Sequence, residues 1–204
     1  MVALAFVFGV GNTSKLAAQI RDEDFTSNTS SIKVGGVAPS WIIRNWINSG
    51  PLDLPQLRGK VILLRFFSEN PTSAATLDEF YRTYREQGLE VVGMYAPQPM
   101  PAETDLEHVR QLVSALGFEF AVGVDSRWET LNRYWLDKAD VQMDAATFLI
   151  DRKGVIRTIQ SVGQYERNSQ NRDARRAYES LQRQIEQLLK ESAPAPKAPP
   201  GPAQ

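Results

Sequence analysis

Few residues of this chain can do chemistry, and their types narrow the choice. Cysteine is absent and His108 is the single histidine. Without a thiol there is no thiolate nucleophile, so disulfide exchange, thiol-based peroxide reduction and cysteine metal sites are all excluded. One histidine also excludes His-rich metal sites, although carboxylates can still hold a hard cation. Ser73 is a nominal nucleophile. It needs a neighbouring base, however, and His108 falls on a different predicted helix, one rich in charge, where a surface or half-buried structural role is the ordinary one. Glu69, Asp125 and Asp144 would have to converge at one end of a sheet to do acid/base work or hold a cation. Their default reading is solvated loop acids. No cofactor and no metal is expected.

The elements that must position these groups are legible from periodicity. Val61-Ile-Leu-Leu-Arg-Phe-Phe67 is continuous enough for a buried strand. Pro71 to Gln87 carries Ala74, Leu77, Phe80, Tyr81 and Tyr84 at helical spacing and is closed by Gly88. Leu89 to Tyr95 supplies a second strand, and a proline-rich loop from Pro97 to Pro101 leads to a helix from about Asp105 to Leu116, stopped by Gly117. A third strand is expected over Phe118 to Val124 and a short helix over Trp128 to Tyr134. Ala146 to Ile150 and Val155 to Ile159 flank the turn Asp151-Arg-Lys-Gly154 and read as a hairpin of antiparallel edge strands. From Asp173 to Lys190 an apolar stripe marks a long final helix. This order predicts an α/β fold, a central mixed β-sheet flanked by helices on both faces. Trp41, Trp46, Trp128 and Trp135 are core residues by default, while Trp41 to Trp46 could also present an aromatic patch to a partner.

The stretch Leu57-Arg-Gly-Lys-Val-Ile-Leu-Leu-Arg-Phe-Phe67 through Asn70-Pro-Thr-Ser-Ala-Ala-Thr-Leu77 resembles thioredoxin-like redoxins of the TlpA and AhpC/TSA type, where a similar strand runs into a Cys-Pro-x-Cys helix start. The resemblance continues through Val91 to Tyr95, Asp105 to Arg110, Val124-Asp125, Asn132 to Trp135 and Thr147 to Gly154, covering roughly Val34 to Leu189. It implies a thioredoxin-like fold and, by similarity, thiol-disulfide oxidoreductase or peroxidase activity. The residues contradict that activity. Laid on the Cys-x-x-Cys motif, the chain has Asn70-Pro71-Thr72-Ser73, so an amide stands at the attacking position and a hydroxyl at the resolving one. Asn is a favoured N-cap and Pro a favoured first helical residue, so Asn70-Pro71 is expected to be a plain helix start. Where many relatives place a cis-proline, this chain has Ala145, at which a trans bond and a remodelled groove are expected.

Hydrophobic residues make up 42% and charged residues 23% of 204, a composition that rules out disorder of the whole chain and suits one principal domain. With 23 Lys and Arg against 24 Asp and Glu there is no basic excess, and nucleic acid is not an expected partner. Residues 1–33 divide into an apolar run, Met1 to Gly11, and a polar linker; 34–191 form the thioredoxin-like domain; 192–204, with five of the 12 prolines, form an extended Pro/Ala-rich tail. Met1 to Gly11 is too short to span a bilayer. It has the length of a signal-peptide core but no preceding Lys or Arg, and it is expected to be an export signal or membrane anchor, the alternative being an arm that packs on this protein or a neighbour. The resulting expectation is a redox-inactive thioredoxin-fold subunit of a membrane-associated assembly on the exported, periplasmic or extracytoplasmic side, with protein partners.

Overall fold

A run such as Val61 to Phe67 has no polar side to turn to solvent, so it belongs inside a sheet covered on both faces. In a computed structural model, which describes residues 32–134, 146–160 and 164–192, it forms β2 (Val61–Phe67) with every residue buried. β2 lies parallel to β3 (Leu89–Tyr95), with Phe67 opposite Tyr95, and antiparallel to β5 (Thr147–Ile150), with Arg65 opposite Thr147. β4 (Ala121–Val124) extends the parallel side, and β1 (Asn45–Ile47) and β6 (Ile156–Gln160) close the edges. The order is β1-β4-β3-β2-β5-β6, the mixed sheet expected from the sequence.

Helices α1 (Ala74–Tyr84), α2 (Leu106–Ala115), α3 (Glu129–Tyr134) and α4 (Arg172–Lys190) cover the sheet. The apolar stripes of α1 and α4 meet on one face, where Leu77, Phe80, Tyr178, Leu181 and Ile185 pack with Leu63 and Phe67 of β2. Each fully buried Leu or Phe of this kind contributes about 1.5–3 kcal/mol relative to exposure. On the other face Ile62, Leu64 and Phe66 pack with Trp41, Leu57, Leu131 and Tyr134. Gly93 in β3 permits the layers to close: a Cβ there would lie 2.9 Å from Cε1 of Phe67.

Two expectations are corrected. Only one strand of the C-terminal hairpin is an edge; β5 lies between β2 and β6, and its buried Thr-Phe-Leu-Ile has no solvent-facing alternation. At the opposite edge β1 carries Trp46, in a segment too short to announce itself. Trp41 is buried, its indole N–H donating to Tyr134 Oη at 3.1 Å and its ring 5.9 Å from that of the half-buried Trp46, so Trp41 belongs to the core and is not part of a surface patch. Trp128 is part-buried with its indole N–H on the carbonyl of Pro97; Trp135 and the segments 1–31 and 193–204 lie outside the described residues. No helix among the described residues is long and apolar enough to cross a membrane.

Candidate functional site

The loop from Ser68 to Ser73 leaves the C-terminal end of β2 and enters α1, which starts at Ala74. Asn70 is exposed and three residues short of the cap position, so it is not the expected N-cap, and Pro71 is not the first helical residue. The reason is Ser73. Its backbone is left-handed (φ 61°, ψ 24°), which interrupts the turn that Asn70-Pro71 would have begun. Its carbonyl accepts from the N–H groups of Thr76 and Leu77, closing the first turn without a side-chain cap.

Ser73 is 5% exposed, and its Oγ accepts the backbone N–H of Tyr165 at 2.8 Å. The hydroxyl at the resolving position is thus a structural acceptor turned inward. Next to it, Thr72 Oγ1 accepts from the guanidinium of Arg65 at 3.2 Å, while the same guanidinium donates to Thr147 Oγ1 at 2.9 Å and lies 5.5 Å from the centre of the Tyr165 ring. Arg65 is fully buried. A planar fork that reaches two hydroxyls at once suits Arg in a way Lys does not. This brace ties the motif loop to β5, the strand that follows Ala145; Ala145 and Asp144 themselves lie outside the described residues. Sequence reasoning gave Arg65 no role, though a charged residue inside an otherwise apolar buried run was the signal.

Glu69 joins the end of β3 to the first turn of α2. One carboxylate oxygen accepts from the Tyr95 hydroxyl and the other faces His108 Nε2 at 2.9 Å. The Tyr95 hydrogen bond, reinforced by His108, holds the Glu69 carboxyl below its ordinary range against the opposing effect of burial. Glu69 in turn raises His108, and burial followed by Glu69 pushes Tyr95 far up. The Ser73–His108 couple considered from sequence is not formed. Asp125 has separate duties: buried, it accepts from the N–H groups of Thr130 at 3.3 Å and Leu131 at 2.7 Å at the start of α3, and burial raises its pKa despite those bonds. Glu69 and Asp125 are therefore committed to different partners, and among the described residues no group of three His, Cys, Asp or Glu is placed to hold a metal ion.

This geometry sits in a chain with clear relatives. Residues 34–159 match the profile of the AhpC/TSA family. Over 128 residues the chain is 29% identical to protein DipZ of Mycobacterium tuberculosis, a stretch that covers 57% of this chain and 17% of DipZ. Over 138 residues it is 24% identical to the thiol-disulfide oxidoreductase ResA of Bacillus anthracis, covering 66% of this chain and 73% of that protein. Among solved structures, a thioredoxin-like superfamily protein superposes with a TM-score of 0.61 at 22% identity, over 78% of this chain and 99% of the other. The fold is thioredoxin-like.

Proposed function

The chain belongs to the AhpC/TSA family, and from its lack of any cysteine we propose that it is a redox-inactive member, a thioredoxin-fold subunit that acts by binding or by structural support. The observation that carries this reading is the state of the motif loop. Where the resemblance places the two cysteines the chain has Asn70, exposed, and Ser73, whose oxygen is spent on Tyr165 N–H. An amide cannot attack a disulfide, and the single histidine that could serve Ser73 as a base, His108, is engaged with Glu69 instead. Thiol-disulfide oxidoreduction, the activity in ResA's name, is the alternative by similarity. It needs a thiolate that this chain cannot supply.

The apolar run Met1 to Gly11 supports placement of this subunit on the exported side of a membrane, tied to it or to a partner by that segment. Purified protein, given reductant, should neither reduce insulin nor consume peroxide above the protein-free control; turnover in either assay overturns the redox-inactive reading. For the binding reading, a form lacking residues 1–20 should leave the membrane fraction and lose the proteins that purify with the full chain, while keeping its folded spectrum. Retention of both would reject the anchor.

A further inference from the structure

The described residues hold two sulfur atoms, those of Met94 and Met100, and their surroundings are opposite. Met94, in β3, is fully buried among Leu64, Phe66 and Val92. Met100 is 45% exposed, in a run from Gln98 to Glu103 in which every residue is exposed. Among the described residues the other exposed large apolar side chains are Val34 and Val37, and neither carries an atom that a peroxide oxidises.

Met100 also lines a hollow of about 490 Å³, with Pro101 and Leu106 on its own side of the chain and Asn45, Ser126 and Arg127 from β1 and the segment after β4. The lining is part apolar and part donor-bearing. Thr104 belongs to it, and its Oγ1 is buried with no hydrogen-bond partner. A polar oxygen added to the Met100 sulfur would thus meet water and hydrogen-bond donors, whereas the same oxygen on Met94 would be forced among apolar side chains with nothing to pair it.

We propose that Met100 is a site of reversible oxidation by hydroperoxides, and that its sulfoxide changes the polarity of this hollow while the domain stays folded. The sulfur lone pair attacks one peroxide oxygen; the S–O bond forms as the O–O bond breaks, and the sulfur loses two electrons to the peroxide. The departing oxygen takes up the proton of the transferred one and leaves as water or an alcohol. One hydroperoxide is spent per Met100, and a chain without a thiol cannot regenerate the thioether by itself. The step is therefore stoichiometric and distinct from the turnover that would overturn the redox-inactive reading.

The test treats the ¹⁵N-labelled full chain with hydrogen peroxide and follows its peptides by mass spectrometry and its amides by NMR. Met100 should gain an oxygen about tenfold or more faster than Met94, because susceptibility follows exposure. The amides of Asn45, Ser126 and Arg127 should shift as Met100 is oxidised, and the folded spectrum should persist. Methionine sulfoxide reductases A and B, one for each sulfoxide epimer, should restore the starting spectrum with dithiothreitol as the electron donor, while dithiothreitol alone should not. Met100→Leu should fold like the parent and show none of these shifts with peroxide. Comparable rates at Met94 and Met100, loss of the folded spectrum on oxidation of Met100, unmoved amides across the hollow, failure of the reductases to restore the spectrum, or the same shifts in Met100→Leu would each overturn the proposal.

Discussion

The Oγ of Ser73 receives the backbone N–H of Tyr165 at 2.8 Å, across 92 positions of sequence. One buried hydroxyl thereby fixes the conformation of the motif loop from the C-terminal side of the chain, and it does so from a left-handed residue that is not glycine. A non-glycine residue in that region costs roughly 1–2 kcal/mol, so the hydrogen bond and the packing around it must offset the strain.

Ser73→Ala keeps the strain and removes the acceptor of a buried N–H, so it should destabilise the domain by about 1–3 kcal/mol. Ser73→Gly also loses the acceptor but relaxes the backbone, and its loss should be smaller by roughly 1 kcal/mol. Urea unfolding of the two variants beside the parent checks the order; equal losses would mean that the left-handed geometry is not strained.

The fold was largely readable in the sequence because its signals are local. β2 and β3 are predominantly apolar runs, each with one charged residue, and α4 keeps one stripe over five turns, so each was legible within a residue of its true ends. The motif loop was misread for the opposite reason. Asn70-Pro71 has the local chemistry of a helix start, yet the helix begins at Ala74 because Ser73 answers to Tyr165, a contact no window of sequence contains. The linkage of Glu69 with His108 was hidden in the same way, by a separation of 39 positions.

That linkage fixes a pH dependence. Glu69 is depressed, so its contribution is present above its ordinary value of 4.5 and is lost as pH falls through the lower folded value; His108 is raised, so its contribution is complete below 6.5 and is lost as pH rises through the higher folded value. The pair is therefore strongest between 4.5 and 6.5. Because the chain has one histidine, a single imidazole resonance reports it. Its midpoint should lie above 6.5 and move down toward that value in Glu69→Gln; an unchanged midpoint in the variant would show that the contact is not held in solution.

Restoring a thiol at position 70 should not restore its chemistry. A cysteine is acidified by the first turn of a helix, and Asn70 lies upstream of that turn beside the negative Glu69. The thiol of Asn70→Cys should titrate no lower than about 8, near the ordinary value for cysteine. Alkylation by iodoacetamide across pH gives the midpoint; a midpoint below 7 would return the helix N-terminus to this loop.

The same geometry separates true caps from an apparent one. Asp105 accepts from the N–H groups of Glu107 at 2.9 Å and His108 at 3.1 Å, and Asn171 accepts from Asp173 at 2.8 Å and Ala174 at 3.4 Å, so these two side chains satisfy orphan donors of α2 and α4. Asn70, which reads in sequence as a helix cap because a proline follows it, accepts from no helix donor. Asp105→Ala and Asn171→Ala should each lower stability by about 0.5–2 kcal/mol, the usual loss of a cap. Asn70→Ala should stay within about 0.5 kcal/mol of the parent, as an exposed substitution that removes no contact does. Denaturation midpoints of the three variants decide it. A loss at Asn70 as large as at Asp105 would mean that α1 begins at Pro71 in solution and that the left-handed Ser73 is not its cap.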